Sequence, residues 1–171
     1  MEKKKKLQGL ETESRVIQSG DFHFLVVTAW EDEKEYVKEI QVLSRQQALE
    51  IRQNKSMPSP LQREVDKQMR EYFVGKRKAF ELPLRPDGTD FQKKVWNALL
   101  EIPFGETRSY QDIANAVGSP KACRAVGMAN HQNPIIIVIP CHRVIGKNGK
   151  LVGYGGGLSM KEKLLLLEKG C

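Results

Sequence analysis

The chain has 171 residues, enough for one large domain or two small ones with real cores. At 40% hydrophobic and 29% charged it reads as globular, and no apolar run approaches the roughly 20 residues of a membrane helix, so no membrane partner is expected. The net charge of +7 is uneven: Thr89–Cys171 carries 11 Lys+Arg against 6 Asp+Glu, whereas Met1–Gly88 carries 17 against 15. That excess suits a second half that meets phosphates, and ordinary solubility charge accounts for it equally well.

The opening "MEKKKKLQGL" is basic with no apolar segment behind it, so it is read as a frayed tail and not as a secretory signal. "DFHFLVVTAW" (Asp21–Trp30) and "EYVKEIQVL" (Glu35–Leu43) have the β-branched and aromatic content of strands, with "EDEK" as a hairpin connection. A helix follows from Ser59 as cap and Pro60 in the first turn to Gly75, with Leu61, Val65, Met69, Tyr72 and Phe73 on one face. "FELPL" (Phe80–Leu84) reads as a short edge strand. The turn residues "RPDGTD" (Arg85–Asp90) mark the domain boundary, giving domains 1–88 and 89–171.

Beyond it, Thr89 and Gln92 form a capping box for a helix whose core face is Phe91, Val95, Trp96, Leu99 and Leu100. Ser109 with Asp112 opens a helix that ends at Gly118. Ser119 as cap and Pro120 at the first helical position predict the start of the next, "KACRAVGMAN". Such a pair is the helix-turn-helix arrangement, though two helices packed for the core alone would look the same. Ile135–Ile139 reads as a strand, Asn148-Gly149 as a tight hairpin turn, and "LVGYGGG" as a return strand running into a glycine-rich loop. Ser159 with Glu162 predicts the start of a last helix that closes at Gly170.

The chemistry turns on Cys141. A buried cysteine at a strand end is the usual fate of such a residue; a nucleophile needs positive charge, donors or a base beside it. His142 is adjacent in sequence, but neighbours on an extended strand point to opposite faces, so direct contact would need a turn after Pro140 or a bridging water. Cys123, Cys141 and Cys171, with His23, His131 and His142, show no paired ligand spacing, so no metal is expected. Three cysteines also favour a reducing cytoplasm over a disulfide framework. Glu168 sits in the last turn of its helix, where the macrodipole disfavours an anion; it is a solvated charge beside Lys169 or an acid that orients a histidine.

"IPCHRVIG", together with "SYQDIANAVGSPKACRAVGMANHQNP" and "GYGGGLSMKEKLLLLE", resembles the O6-alkylguanine-DNA alkyltransferase family (methylated-DNA–protein-cysteine methyltransferases) over Thr89–Glu168. The first half matches only in layout. The resemblance implies an α/β N-terminal domain, a small antiparallel sheet plus helix of ribonuclease H-like type. A mostly α, winged helix-turn-helix-like C-terminal domain follows it. It implies that Cys141 takes the alkyl group from O6 of guanine, irreversibly and once per molecule, without a cofactor. His142 would accept the thiol proton through a water, and Glu168 would hold that imidazole. Tyr110 would donate to the leaving base, Tyr154 would sit beside it, and Asn133 would tie the helix pair to the active-site segment. Arg124 would fill the stack left by a nucleotide flipped out of double-stranded DNA bound through the minor groove. Ser109, Ala125, Gly127, Arg143, Gly155 and Gly156 are assigned to the remaining DNA or base contacts, in a monomer. Gly127 suits close approach of either DNA or a packed helix, and the glycines after Gly153 suit a loop against a flipped base better than a phosphate loop.

Two positions depart from the family's pattern. Cys123 stands where a small apolar residue is expected, and Gly155 where some relatives carry a hydroxyl, which leaves the substrate range open. Activity on O4-alkylthymine is likewise open. A non-catalytic module that recognises alkylated bases shares every DNA-binding feature and is separated only by the nucleophile. A transcription regulator would want more base-reading polar side chains on "KACRAVGMAN" than the helix has.

Overall fold

The computed structural model describes residues 6–7, 10–51 and 56–170, and the chain divides into two compact units, Met1–Asp87 and Gly88–Cys171. The division falls inside the turn segment Arg85–Asp90, one residue before the expected boundary.

In the first unit an antiparallel sheet runs in the order β1 (Lys6–Leu7), β2 (Leu10–Ser19), β3 (Phe22–Glu31), β4 (Lys34–Leu43). The β3–β4 connection is a two-residue turn with Asp32 and Glu33 both at positive φ, which matches the right-handed twist of the strands it joins. Strand β2 was not expected: Leu10 belongs to it and not to a tail, and its apolar residues alternate too irregularly to announce a strand. Residues 1–5 of the expected tail lie outside the described residues. Helix α1 (Arg45–Glu50) is likewise an addition. Helix α2 (Pro60–Phe73) starts where Ser59 and Pro60 place it, closed by a reciprocal capping box with Gln62. It lays Val65, Met69 and Tyr72 against Phe24, Val26, Val37 and Ile40 of the sheet, all buried. "FELPL" contributes one parallel bridge, Val37 to Leu84, and is no full strand.

The second unit is built from α3 (Asp90–Leu100), β5 (Arg108–Ser109), α4 (Tyr110–Ala116), α5 (Cys123–His131), β6 (Val144–Ile145) and α6 (Leu158–Lys169). Its core gathers Val95, Trp96 and Leu99 of α3, Ile113 of α4, Val126 and Ala129 of α5, and Leu164 of α6. The Trp96 indole Nε1–H donates to Ala129 O at 2.8 Å, so α3 and α5 are locked by a polar bond inside an apolar interface.

Four local expectations fail here. Helix α5 starts at Cys123 with no side-chain cap, because Ser119–Ala122 closes a turn of its own through Ala122 N–H to Ser119 O. Helix α6 starts from Gly157, at φ 89°, so Ser159 lies inside it and caps nothing. "LVGYGGG" forms no return strand: β6 pairs in parallel with β5 instead, and the Gly146–Lys150 turn is closed by hydrogen bonds at both ends. Ile135–Ile139 is a compact turn, with Val138 N–H donating to Ile136 O, Ile139 N–H to Ile135 O, and Ile137 at φ 71°. Its β-branched composition reflects burial on every side and not a strand: no partner strand exists for it among the described residues, and Pro134 and Pro140 bracket it.

Candidate active site

That turn delivers the chain into a single 3₁₀ turn, Cys141–Arg143, whose three side chains are all buried. The turn after Pro140 supplies what an extended strand could not. Within it Cys141 is held by Asn133, while His142 and Arg143 share Glu168.

Asn133 follows α5 and reaches across to the cysteine. Its Nδ2 donates to Cys141 Sγ at 3.1 Å and to Ile139 O at 2.8 Å, while its Oδ1 accepts from Ile135 N–H. One side chain therefore fixes both ends of the turn and aims a donor at the sulfur. Burial pushes the Cys141 thiol up to about 11, against the Asn133 hydrogen bond and the charge of Lys161, which act to lower it. With its pKa held above the ordinary value, the sulfur is a thiol at neutral pH and needs a base to take its proton before it can react.

His142 follows it in the chain. His142 is fully buried, and its Nε2 lies 2.7 Å from Glu168 Oε1. Burial pushes the imidazole pKa down, opposed by the Glu168 pair, so the ring is neutral at neutral pH. Arg143 closes the network. Its Nε and Nη2 hold the two Glu168 oxygens at 2.9 Å, and Nη1 donates to Ile102 O at 2.6 Å. Gly105 N–H donates to Glu168 as well. Burial pushes the Glu168 carboxyl up, but the bonds from His142 and Arg143 outweigh it and bring the pKa down to about 2. Glu168 is thus a permanent carboxylate that accepts from the His142 Nε2–H, which leaves Nδ1 as the basic nitrogen.

Arg143, assigned to a DNA contact from the sequence, is placed differently from the exposed Arg124. It is buried, and its guanidinium is spent on Glu168 and Ile102. Ser109 caps α4 through a reciprocal box with Asp112. Tyr110, the next residue, donates its hydroxyl to Val152 O at 3.1 Å.

A cavity of about 470 Å³ is lined by Tyr110, Arg124, Gly127, Asn130, Tyr154 and Gly155 among others, a size that admits a nucleobase; Asn130 joins it to the cysteine turn by donating to Cys141 O at 3.4 Å. Arg124 and Ala125 are exposed on α5. Gly127 is not demanded by helix packing, since a Cβ there would meet nothing nearer than the Tyr110 ring at 3.9 Å. Gly156 is demanded: a Cβ would stand 2.5 Å from Met160 Sδ. Gly155 faces open space.

Residues 90–170 match the family model described as 6-O-methylguanine DNA methyltransferase, DNA binding domain. The methylated-DNA–protein-cysteine methyltransferase of Methanosarcina acetivorans is 61% identical over 109 residues, covering 64% of this chain and 70% of that protein. This chain belongs to the methylated-DNA–protein-cysteine methyltransferase family. The solved Mycobacterium tuberculosis O6-methylguanine methyltransferase superposes with a TM-score of 0.75 at 41% identity, over 93% of each chain. The structure of Mycobacterium tuberculosis OGT in complex with DNA does so at 0.74 and 43%, over 92% of each.

One group in this methyltransferase-family site escaped the sequence reading. Lys161 is fully buried, and its Nζ donates to Val144 O at 2.6 Å, Val152 O at 3.0 Å and Gly153 O at 3.4 Å. It ties the strand after the 3₁₀ turn to the loop carrying Tyr154. The signal was present in the spacing: Lys161, Leu164 and Glu168 share one face of α6, so two charges are carried inward with an apolar residue. Among the described residues no cluster of three His, Cys, Asp or Glu could hold a metal ion, and no helix is long and apolar enough to cross a membrane.

Proposed function

We infer that this chain repairs DNA by direct reversal, moving an alkyl group from O6 of guanine to Cys141 Sγ. The observation that carries the reading is a buried thiol held by Asn133, next in sequence to a carboxylate-anchored imidazole, with Asn130 joining the cysteine carbonyl to a base-sized cavity. In the reaction the S–C bond forms as the C–O6 bond breaks. The thiol proton passes through a water to His142 Nδ1, Glu168 stabilises the imidazolium so formed, and guanine departs as an anion stabilised by a hydrogen bond from the Tyr110 hydroxyl and takes its proton from water. The thioether has no route back to a thiol on this chain, so each molecule acts once. No cofactor is required for a displacement at an alkyl carbon.

The reacting carbon lies inside the duplex, so the nucleotide must leave the stack. The partner is double-stranded DNA carrying O6-alkylguanine, with α4 and α5 as its helix-turn-helix. Helix α5 enters the minor groove, where its exposed Ala125 and the bare Gly127 permit close approach, and Arg124 takes the place of the flipped base. Tyr154, Gly155 and Gly156 border the base. Asn133 ties this helix pair to the segment that holds the sulfur. The first unit is assigned a ribonuclease H-like architecture and the second a winged helix-turn-helix one. It is taken to act as a monomer. A free Cys141 suits a compartment that keeps thiols reduced, the cytoplasm.

The test is direct. After incubation with duplex DNA containing O6-methylguanine, the intact protein gains the mass of one CH₂, and peptide mapping places it on Cys141. The Cys141→Ala protein still binds that DNA and gains nothing. Transfer that maps to Cys123 or Cys171, or binding with no transfer, would sink the assignment; the last outcome is that of a recognition module.

A further inference from the structure

We propose that Gln111 and Cys123 are positioning residues that brace the turn between α4 and α5 and so hold Arg124 ready for insertion into the base stack. The proposal rests on the reading of α5 as the helix that enters the duplex. Helix α5 has nine residues and no side-chain cap at its start, whereas α4 carries a complete capping box. A helix this short is marginal without an anchor. Its anchor comes from α4. The Gln111 amide engages both its hydrogens and its oxygen across the turn. Nε2 donates to Asn115 Oδ1 at 3.0 Å and to Pro120 O at 2.8 Å, and Oε1 accepts from the Cys123 thiol at 3.0 Å.

The direction of these bonds is forced. Pro120 O can only accept, so the amide nitrogen faces it and the amide oxygen faces the sulfur, which must then be the donor. Cys123 is half-buried, and a side chain there with no hydrogen to give would leave that oxygen short of a partner. This accounts for a thiol at a position where a small apolar residue is expected. The bond also has a functional address, since Gln111 follows Tyr110 and Cys123 precedes Arg124. It ties together the residues next to the hydroxyl assigned to the leaving base and the guanidinium assigned to the void. Holding residue 123 fixes the backbone from which the exposed Arg124 projects. An arginine already placed loses less freedom on insertion than one on a frayed turn.

The test compares single-turnover transfer from a saturating duplex carrying O6-methylguanine with transfer from the same strand without its complement, where no paired stack has to be opened. Cys123→Ala is expected to slow the duplex reaction by about threefold to tenfold, the worth of one hydrogen bond, and to leave the single-strand reaction at the wild-type rate. Cys123→Ser, which keeps a donor, restores the duplex rate. Gln111→Met slows the duplex reaction at least as much as Cys123→Ala does. The double variant is no slower than Gln111→Met alone, because the thiol has already lost its partner. Normal transfer from the single strand shows in each case that the variant is folded. An equal loss on both substrates overturns the proposal, since the thiol would then serve the acceptor site or the fold at large. So does an unchanged duplex rate in Cys123→Ala, a failure of Cys123→Ser to restore it, or losses that multiply in the double variant. No transfer by the wild type from either substrate refutes the alkyl-transfer reading itself and is recognisable as such.

Discussion

The thiol of Cys141 and the imidazole of His142 are displaced by burial in opposite directions on the pH scale. With the thiol up at about 11 and the imidazole below its ordinary 6.5, both groups are neutral at pH 7, the state from which a proton can pass from sulfur to nitrogen. The sign of the pH dependence follows. A base is competent when unprotonated, so activity is present above the folded pKa of His142 and is lost as pH falls through it. Since that pKa is lowered, the acid limb of single-turnover methyl transfer lies below pH 6.5, with a plateau through neutrality. A limb centred above 6.5 would mean that the burial seen here does not govern the proton. His142→Gln, which removes the base and keeps a polar group, slows transfer at pH 7 by about 10²–10⁴-fold, the range of general-base catalysis. A rate within threefold of wild type would remove His142 from the mechanism.

Among the elements, α6 does more than its apolar run suggests. It carries Glu168 to the histidine and Lys161 to three backbone carbonyls, of which Val152 O also accepts from the Tyr110 hydroxyl. Lys161→Met keeps the length and removes the donor, leaving buried carbonyls unsatisfied and the Cys141 environment without its cation. It costs about 3 kcal/mol of stability, read as a lower midpoint in denaturant at unchanged slope; a loss under 1 kcal/mol would show that the carbonyls find other partners. Capping boxes at Thr89 and Ser109 were legible in the sequence because a cap and the residue three positions on make a local bond. The same rule failed at Ser159, where Gly157 already turns the chain into the helix. Strand β2 and the turn at Ile135–Ile139 were illegible for a related reason, since burial on all sides and irregular alternation erase the period that marks a strand. Cys141, His142 and Glu168 could be named from motif and resemblance. The place of Arg143 could not, because its partner lies 25 residues away and only the packed fold joins them.

For the whole molecule, charge and shape make separable contributions to DNA binding. The second unit holds the basic excess, 11 Lys+Arg against 6 Asp+Glu, and the exposed Lys121 and Arg124 flank the start of α5. A side chain that neutralises a phosphate releases counterions, and each such contact adds about 0.9 to the slope of log affinity against log salt. One that stacks in place of a flipped base releases none. Lys121, on the turn before α5, belongs to the first kind, so Lys121→Ala lowers the slope by about 0.9 and weakens binding to damaged and undamaged duplexes alike. Arg124, proposed to enter the stack, belongs on that proposal to the second. Arg124→Ala leaves the slope within about 0.3 of wild type yet slows methyl transfer by about tenfold or more, because extrusion costs a few kcal/mol and loses what offsets it. The measurement is a salt titration of binding beside single-turnover transfer on the same variants. If Arg124→Ala lowers the slope as Lys121→Ala does and leaves transfer from saturated DNA unchanged, Arg124 is a phosphate contact. The void left by the flipped base must then be filled by another residue of α5, and the exposed Met128, next on that face, is the side chain with the bulk to do it.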